Sequence, residues 1–78
     1  MMTVMDVISK TVDDANIYKL YEDFSNELIT AVSRNYISNL AGYSKNRVAS
    51  YSVLVCCNIA TDDENTNDNL NIVEIRII

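Results

Sequence analysis

The chain has 78 residues, room for one domain with a thin core. Hydrophobic residues make up 49% of it, which excludes a disordered chain, while the longest wholly apolar run, Val53–Cys57, is far too short to span a bilayer. A net charge of −5 with no histidine weighs against nucleic acid as a partner and against a zinc site.

Taken in chain order, Thr3 to Val12 reads as a first helix. Thr3 caps it with Asp6 three residues on, and Met5, Ile8 and Val12 share a face. Val4, Val7 and Ile8 suit a strand equally well. A second helix follows, capped by Asp13 or Asp14. Ile17, Leu20, Tyr21, Phe24, Leu28, Ala31 and Val32 recur there at three- and four-residue spacing. The stripe slips beyond Val32, so a new helix is expected from Ser33 to Ala41, with Gly42 just past its end at positive φ. Ser44 is placed to cap a further helix from Lys45 to at least Tyr51. Between Ser52 and Ile59 two readings stand. Val53, Val55, Cys57 and Ile59 alternate as in a strand, whereas Val48, Tyr51 and Val55 continue a helical face. Residues 61–69 are polar and acidic and read as a loop. Asn71–Ile78 is β-branched and reads as a strand, pairing with 53–59 if that segment is one.

Charge is unevenly spread along these elements. Leu28–Thr61 contains Arg34, Lys45 and Arg47 and no acid, whereas the flanks hold all eleven acids against Lys10, Lys19 and Arg76. The window therefore carries +3 and the flanks −8. An acidic protein can still present one basic face, because salt screens charges beyond about 8–10 Å.

That window has the residue types of a helix-turn-helix at the required offsets. Counting from Arg34, Ile37 is the buried residue of the first helix, Ser38 and Ala41 its small packing positions, and Gly42 the turn. Tyr43 is the plug, Ser44 the cap, and Val48 and Tyr51 the inward positions of the second helix. The run Leu40-Ala41-Gly42-Tyr43-Ser44, with Val48 four residues later, resembles the headpiece of the lactose-repressor family and many phage and plasmid repressors. The likeness covers about a quarter of the chain, and Ser38 departs from the usual alanine. It implies a small DNA-binding transcriptional regulator of mobile-element type. In such motifs Ser44, Lys45, Asn46 and Ser50 face double-stranded DNA with Arg47 beside them, and Arg34 meets a phosphate.

The expected architecture is then an α+β, winged-helix-like domain: three helices with the helix-turn-helix, followed by a C-terminal β-hairpin. It divides into N-terminal helices (1–32), the motif (33–52), and a wing (53–78) whose acidic tip would be repelled by phosphate. A simpler reading keeps a helical hairpin on a sheet, with Gly42 only a helix cap. A homodimer is expected of the helix-turn-helix domain, through the C-terminal strand or the first helix, because symmetric dimers double the base contacts and Ile75, Ile77 and Ile78 leave a spare apolar face.

Two rivals come from the acids. Asp63, Asn65, Asn67 and Glu74 fit ligand positions of an EF-hand loop, although Asp68 stands where glycine is needed and the flanks read as strands. Alternatively, the sets Asp13, Asp14, Glu22, Asp23, Glu27 and 62–68 could cover a basic partner surface. The chain would then be a small interaction or inhibitor protein aimed at a host protein, of the size and composition of anti-CRISPR inhibitors. An enzyme and a cofactor are not expected: the chain has neither a glycine-rich phosphate loop nor a nucleophile beside a base. Adjacent Cys56 and Cys57 cannot staple distant segments, and no basic-then-apolar leader is seen. Reduced thiols in the cytoplasm, its own or a host's, are the expectation.

Overall fold

The structure, a computed structural model, describes residues 1–57 and 69–78. Helix α1 spans Val4–Thr11. Thr3 and Asp6 close a capping box, the Thr3 amide donating to Asp6 Oδ2 at 2.9 Å and the Asp6 amide to Thr3 Oγ1 at 3.4 Å. Its buried face is Val4, Val7, Ile8 and Thr11, while Met5 is turned outward.

Strands β1 (Ile17–Glu22), β2 (Leu28–Ser33), β3 (Val48–Cys57) and β4 (Asn69–Ile77) form one mixed sheet in the order β2-β1-β4-β3. β1–β2 and β3–β4 are antiparallel, whereas β1 and β4 run parallel at the centre, Ile17 beside Ile72 and Glu22 beside Ile77. A 3₁₀ helix, Arg34–Tyr43, links β2 towards β3 and is interrupted by non-helical backbone at Tyr36. One sheet face, through Tyr18, Leu20, Val73, Ile75 and Ile77, packs on α1, Ala15 and Leu40 of the 3₁₀ helix, and these form the core among the described residues. Within it the Thr11 hydroxyl donates to Val7 O at 2.8 Å. Its one proton is thereby used, so the Tyr18 hydroxyl, 2.9 Å away, donates to Thr11.

This architecture replaces the winged-helix expectation. The long helix over 13–32 is instead the β1–β2 hairpin. The 3.6-residue stripe included Phe24 and Leu28, which are exposed, and missed Tyr18, which is fully buried. The decisive signal was β-propensity: Ile17, Tyr18, Tyr21, Ile29, Thr30 and Val32 surround a Ser25-Asn26 turn. No recognition helix follows Gly42 among the described residues. Gly42 lies inside the 3₁₀ helix without positive φ, Ser44 ends that helix rather than opening another, and β3 begins at Val48. β-branched and aromatic residues at 48, 51, 53 and 55 override the capping signal. Segment 53–57 does pair with β4, but as part of a ten-residue arm of the sheet, not a wing. Finally, Ile75 and Ile77 are buried within one chain and β4 is central, so the argument for a dimer through a free C-terminal strand falls away.

Candidate functional site

The β1–β2 turn is the most highly specified surface feature. Asn26 adopts φ 61°, a left-handed conformation that asparagine accepts more readily than most residues. The Asn26 amide donates to Glu22 O at 2.8 Å and the Glu22 amide to Glu27 O at 2.9 Å. Ser25 Oγ accepts from the Glu27 amide at 3.3 Å. Two further ties anchor the turn to the sheet: the Asp23 amide donates to Ile77 O at 2.9 Å, and Arg76 Nη1 donates to the Asn26 side-chain oxygen. Arg76 also lies over the Tyr21 ring, 5.4 Å from its centroid. On this braced turn Phe24 is 87% exposed, flanked in sequence by Glu22, Asp23 and Glu27. The sequence stripe had assigned Phe24 to a core. The dipeptide Ser25-Asn26 between two β-branched runs was the cue that it belongs to a turn.

The second feature is the sheet itself, whose face away from α1 has no helix over it among the described residues. Register places three rows across β1, β4 and β3 on that face: Ile17, Ile72 and Leu54; Lys19, Glu74 and Ser52; Tyr21, Arg76 and Ser50. One end is thus apolar and the other polar, with the Tyr21 hydroxyl donating to Glu74 Oε2 at 3.2 Å. On the α1 face, Tyr51, Val53 and Val55 of β3 lie towards the edge of the sheet and are exposed, with Tyr51 and Val53 bordering a notch beside Thr11 of α1.

The residues expected to face DNA do not form one surface. The Arg34 amide donates to Asn16 O, and Asn16 in turn pairs with Asn71 at the start of β4. Arg47 O accepts from the Ile78 amide past the other end of β4. Seven residues of strand at about 3.3 Å each separate these ends by roughly 23 Å. The Arg34 guanidinium is turned to Val12 O and Asp13 O at 3.4 Å. Ser44 and Asn46 serve α1: their carbonyls accept from the amides of Met5 and Val4 at 3.2 and 3.0 Å, satisfying donors that a helix N-terminus leaves open. Lys45 and Arg47 are exposed beside them, and Ser50 sits on the open sheet face beside Arg76.

Of the EF-hand positions, Asp63, Asn65 and Asn67 fall outside the described residues. Glu74 is in the middle of the central strand, where the motif requires a helix to begin. No group of three His, Cys, Asp or Glu side chains that could hold a metal occurs among the described residues. No described helix is long and apolar enough to cross a membrane. An open groove of about 310 Å³ between α1 and the 3₁₀ helix is lined by Met5, Ile8, Val12, Ile37, Leu40 and Ala41, among others. Compared with known proteins, the chain matches no family model, no curated protein and no solved structure.

Proposed function

We propose that this protein acts by binding another protein, as a small acidic inhibitor or adaptor that presents its β1–β2 turn to a basic surface. The single observation that carries this reading is Phe24, 87% exposed on a turn held at both ends by hydrogen bonds. An aromatic side chain in water contributes nothing to this fold, and aromatic anchors dominate the energetics of protein interfaces. A braced turn loses little freedom on docking, so more of the contact energy appears as affinity. Glu22, Asp23 and Glu27 select a partner with a cationic rim around an apolar pocket and speed its encounter. The DNA-binding reading rested on a recognition helix, and its three cations lie at opposite ends of the sheet.

The test is a photo-crosslinking amino acid at position 24, introduced in cells that carry the protein. One discrete protein adduct is expected. It should fade when Glu22, Asp23 and Glu27 are changed together to glutamine, and when lysates are crosslinked at raised salt. No adduct at position 24 defeats the proposal. Retardation of random-sequence duplexes at low salt, lost in Lys45→Ala with Arg47→Ala, would put DNA in place of the protein partner.

A further inference from the structure

β3 is uncharged, apolar along one face and at the far end of the other, with Ser50 and Ser52 between, yet it has the position of an edge strand. Strands buried on both faces read as continuous apolar runs, and β3 carries Tyr51, Val53 and Val55 on one face and Leu54 on the other. Yet Leu54 is 43% exposed, Val53 46% and Val55 62%. No residue from Val48 to Cys57 is charged, and none is proline. An edge strand is normally blunted by lysine, proline, an inward charge or a bulge. Among the described residues such devices stand at the start of the strand alone. The register shifts between Val48 and Ser50. Beside it, residues 2–4 pair with 46–48, through the Thr3–Arg47 bridge and the bond from the Val48 amide to Met2 O. From Ser50 to Cys57 the outer edge meets no other strand among the described residues.

We infer that β3 pairs antiparallel with β3 of a second copy of this chain about a two-fold axis, joining two four-stranded sheets into one of eight. Charge selects both the occupant and the direction. Copies carrying −5 each repel in general, and β3 is a long strip over which a copy meets no like charge. A parallel pairing would collect Lys45 and Arg47 of both copies at one end, whereas the antiparallel one sends them to opposite ends. The two-fold keeps both α1 helices on one face, so the Tyr51, Val53 and Val55 strips of the two copies lie side by side between them. A notch of about 220 Å³ beside that strip has Tyr51, Val53, Val73 and Ala15 on its floor and Lys10, Thr11 and Asp14 on its helix side, and is open to receive the copy's side chains. β2, the other edge, is six residues long, and pairing β3 with β2 of a copy would give an open chain of molecules, not a closed dimer.

Sedimentation velocity from about 1 to about 100 µM should show a dimer. Val53→Lys and Val55→Lys should each raise the dissociation constant on the order of a hundredfold, because a lysine there would be buried unpaired between copies. Both positions are exposed in the single chain, so the fold should survive, checked by circular dichroism. Ala31→Lys on β2 should leave the dimer intact. Amide exchange should slow with concentration over residues 50–57 and not over 28–33. A monomer across the whole range, or a dimer that survives both β3 lysines, overturns the inference. Changing Glu22, Asp23 and Glu27 together to glutamine weakens the position-24 adduct and does not break this dimer, whereas the β3 lysines break the dimer and leave the adduct, so the two proposals fail separately.

Discussion

Thr11 and Tyr18 show how a small core accommodates polar atoms. Each hydroxyl is buried and each has its partner, with the chain of donation running Tyr18 to Thr11 to Val7 O. Removing the end of this chain differs from removing its middle. Tyr18→Phe deletes a donor and leaves Thr11 its bond to Val7, at a cost of about 1 kcal/mol. Thr11→Val leaves the Tyr18 hydroxyl buried without an acceptor and should cost about 1–3 kcal/mol, the larger loss, read from urea midpoints. Burial also raises the Tyr18 phenol above its ordinary value, with the Thr11 bond and Arg34 opposing. The folded state therefore holds this proton to higher pH than the unfolded chain does. Stability from this group is complete below about pH 10 and is lost above it. The midpoint of wild type should fall faster than that of Tyr18→Phe over that range. Asp6 behaves in the opposite sense: the Thr3 amide and hydroxyl lower its carboxyl, so its contribution is present near neutrality and lost in acid.

At the scale of elements, Gly42 separates the sequence expectation from the structure. A helix-turn-helix needs Gly42 at positive φ, where any side chain is strained. In the structure it sits in a 3₁₀ helix with nothing within 4 Å of where a Cβ would be. Gly42→Ala should therefore be neutral or stabilising by about 0.4–1 kcal/mol, through the unfolded chain; thermal denaturation decides, and a clear loss would restore the turn. The α1 capping box was legible because Thr3 and Asp6 act within four residues. The strand nature of 71–77 was legible because alternation with β-branched residues is local as well. β1 and β2 were not, since apolar residues at 17, 20, 21, 24, 28, 31 and 32 satisfy a helical period by coincidence. Only the pairing of β1 with a strand fifty residues away decides which of them are buried. The same limit hid Phe24, whose exposure follows from the hairpin and not from its neighbours in sequence.

For the molecule as a whole, the core is one layer of side chains between α1, the 3₁₀ helix and one sheet face. The opposite face stays open among the described residues, and this asymmetry explains why a chain with 49% hydrophobic residues shows so much apolar surface at β3. The isoleucines of the expected C-terminal hairpin implied a spare apolar face in need of cover. Sequence reasoning placed it on the C-terminal strand, richest in isoleucine, but that strand takes the centre of the sheet, and the surplus falls on its neighbour β3.

The central place of β4 governs how the chain acquires its structure in time. Among the described residues, every strand pairing except the β1–β2 hairpin involves residues 69–77, and β1 meets β4 across more than fifty residues of chain. A chain emerging from the ribosome cannot close its core until this segment has been released. Until then Tyr18, Leu20 and all of β3 are open to solvent and to other chains. Because loop closure must precede the contacts that reward it, folding should be slow for so small a domain, in milliseconds to seconds and not microseconds. Stopped-flow refolding measures this directly. A chain ended before Asn69 should show no cooperative unfolding.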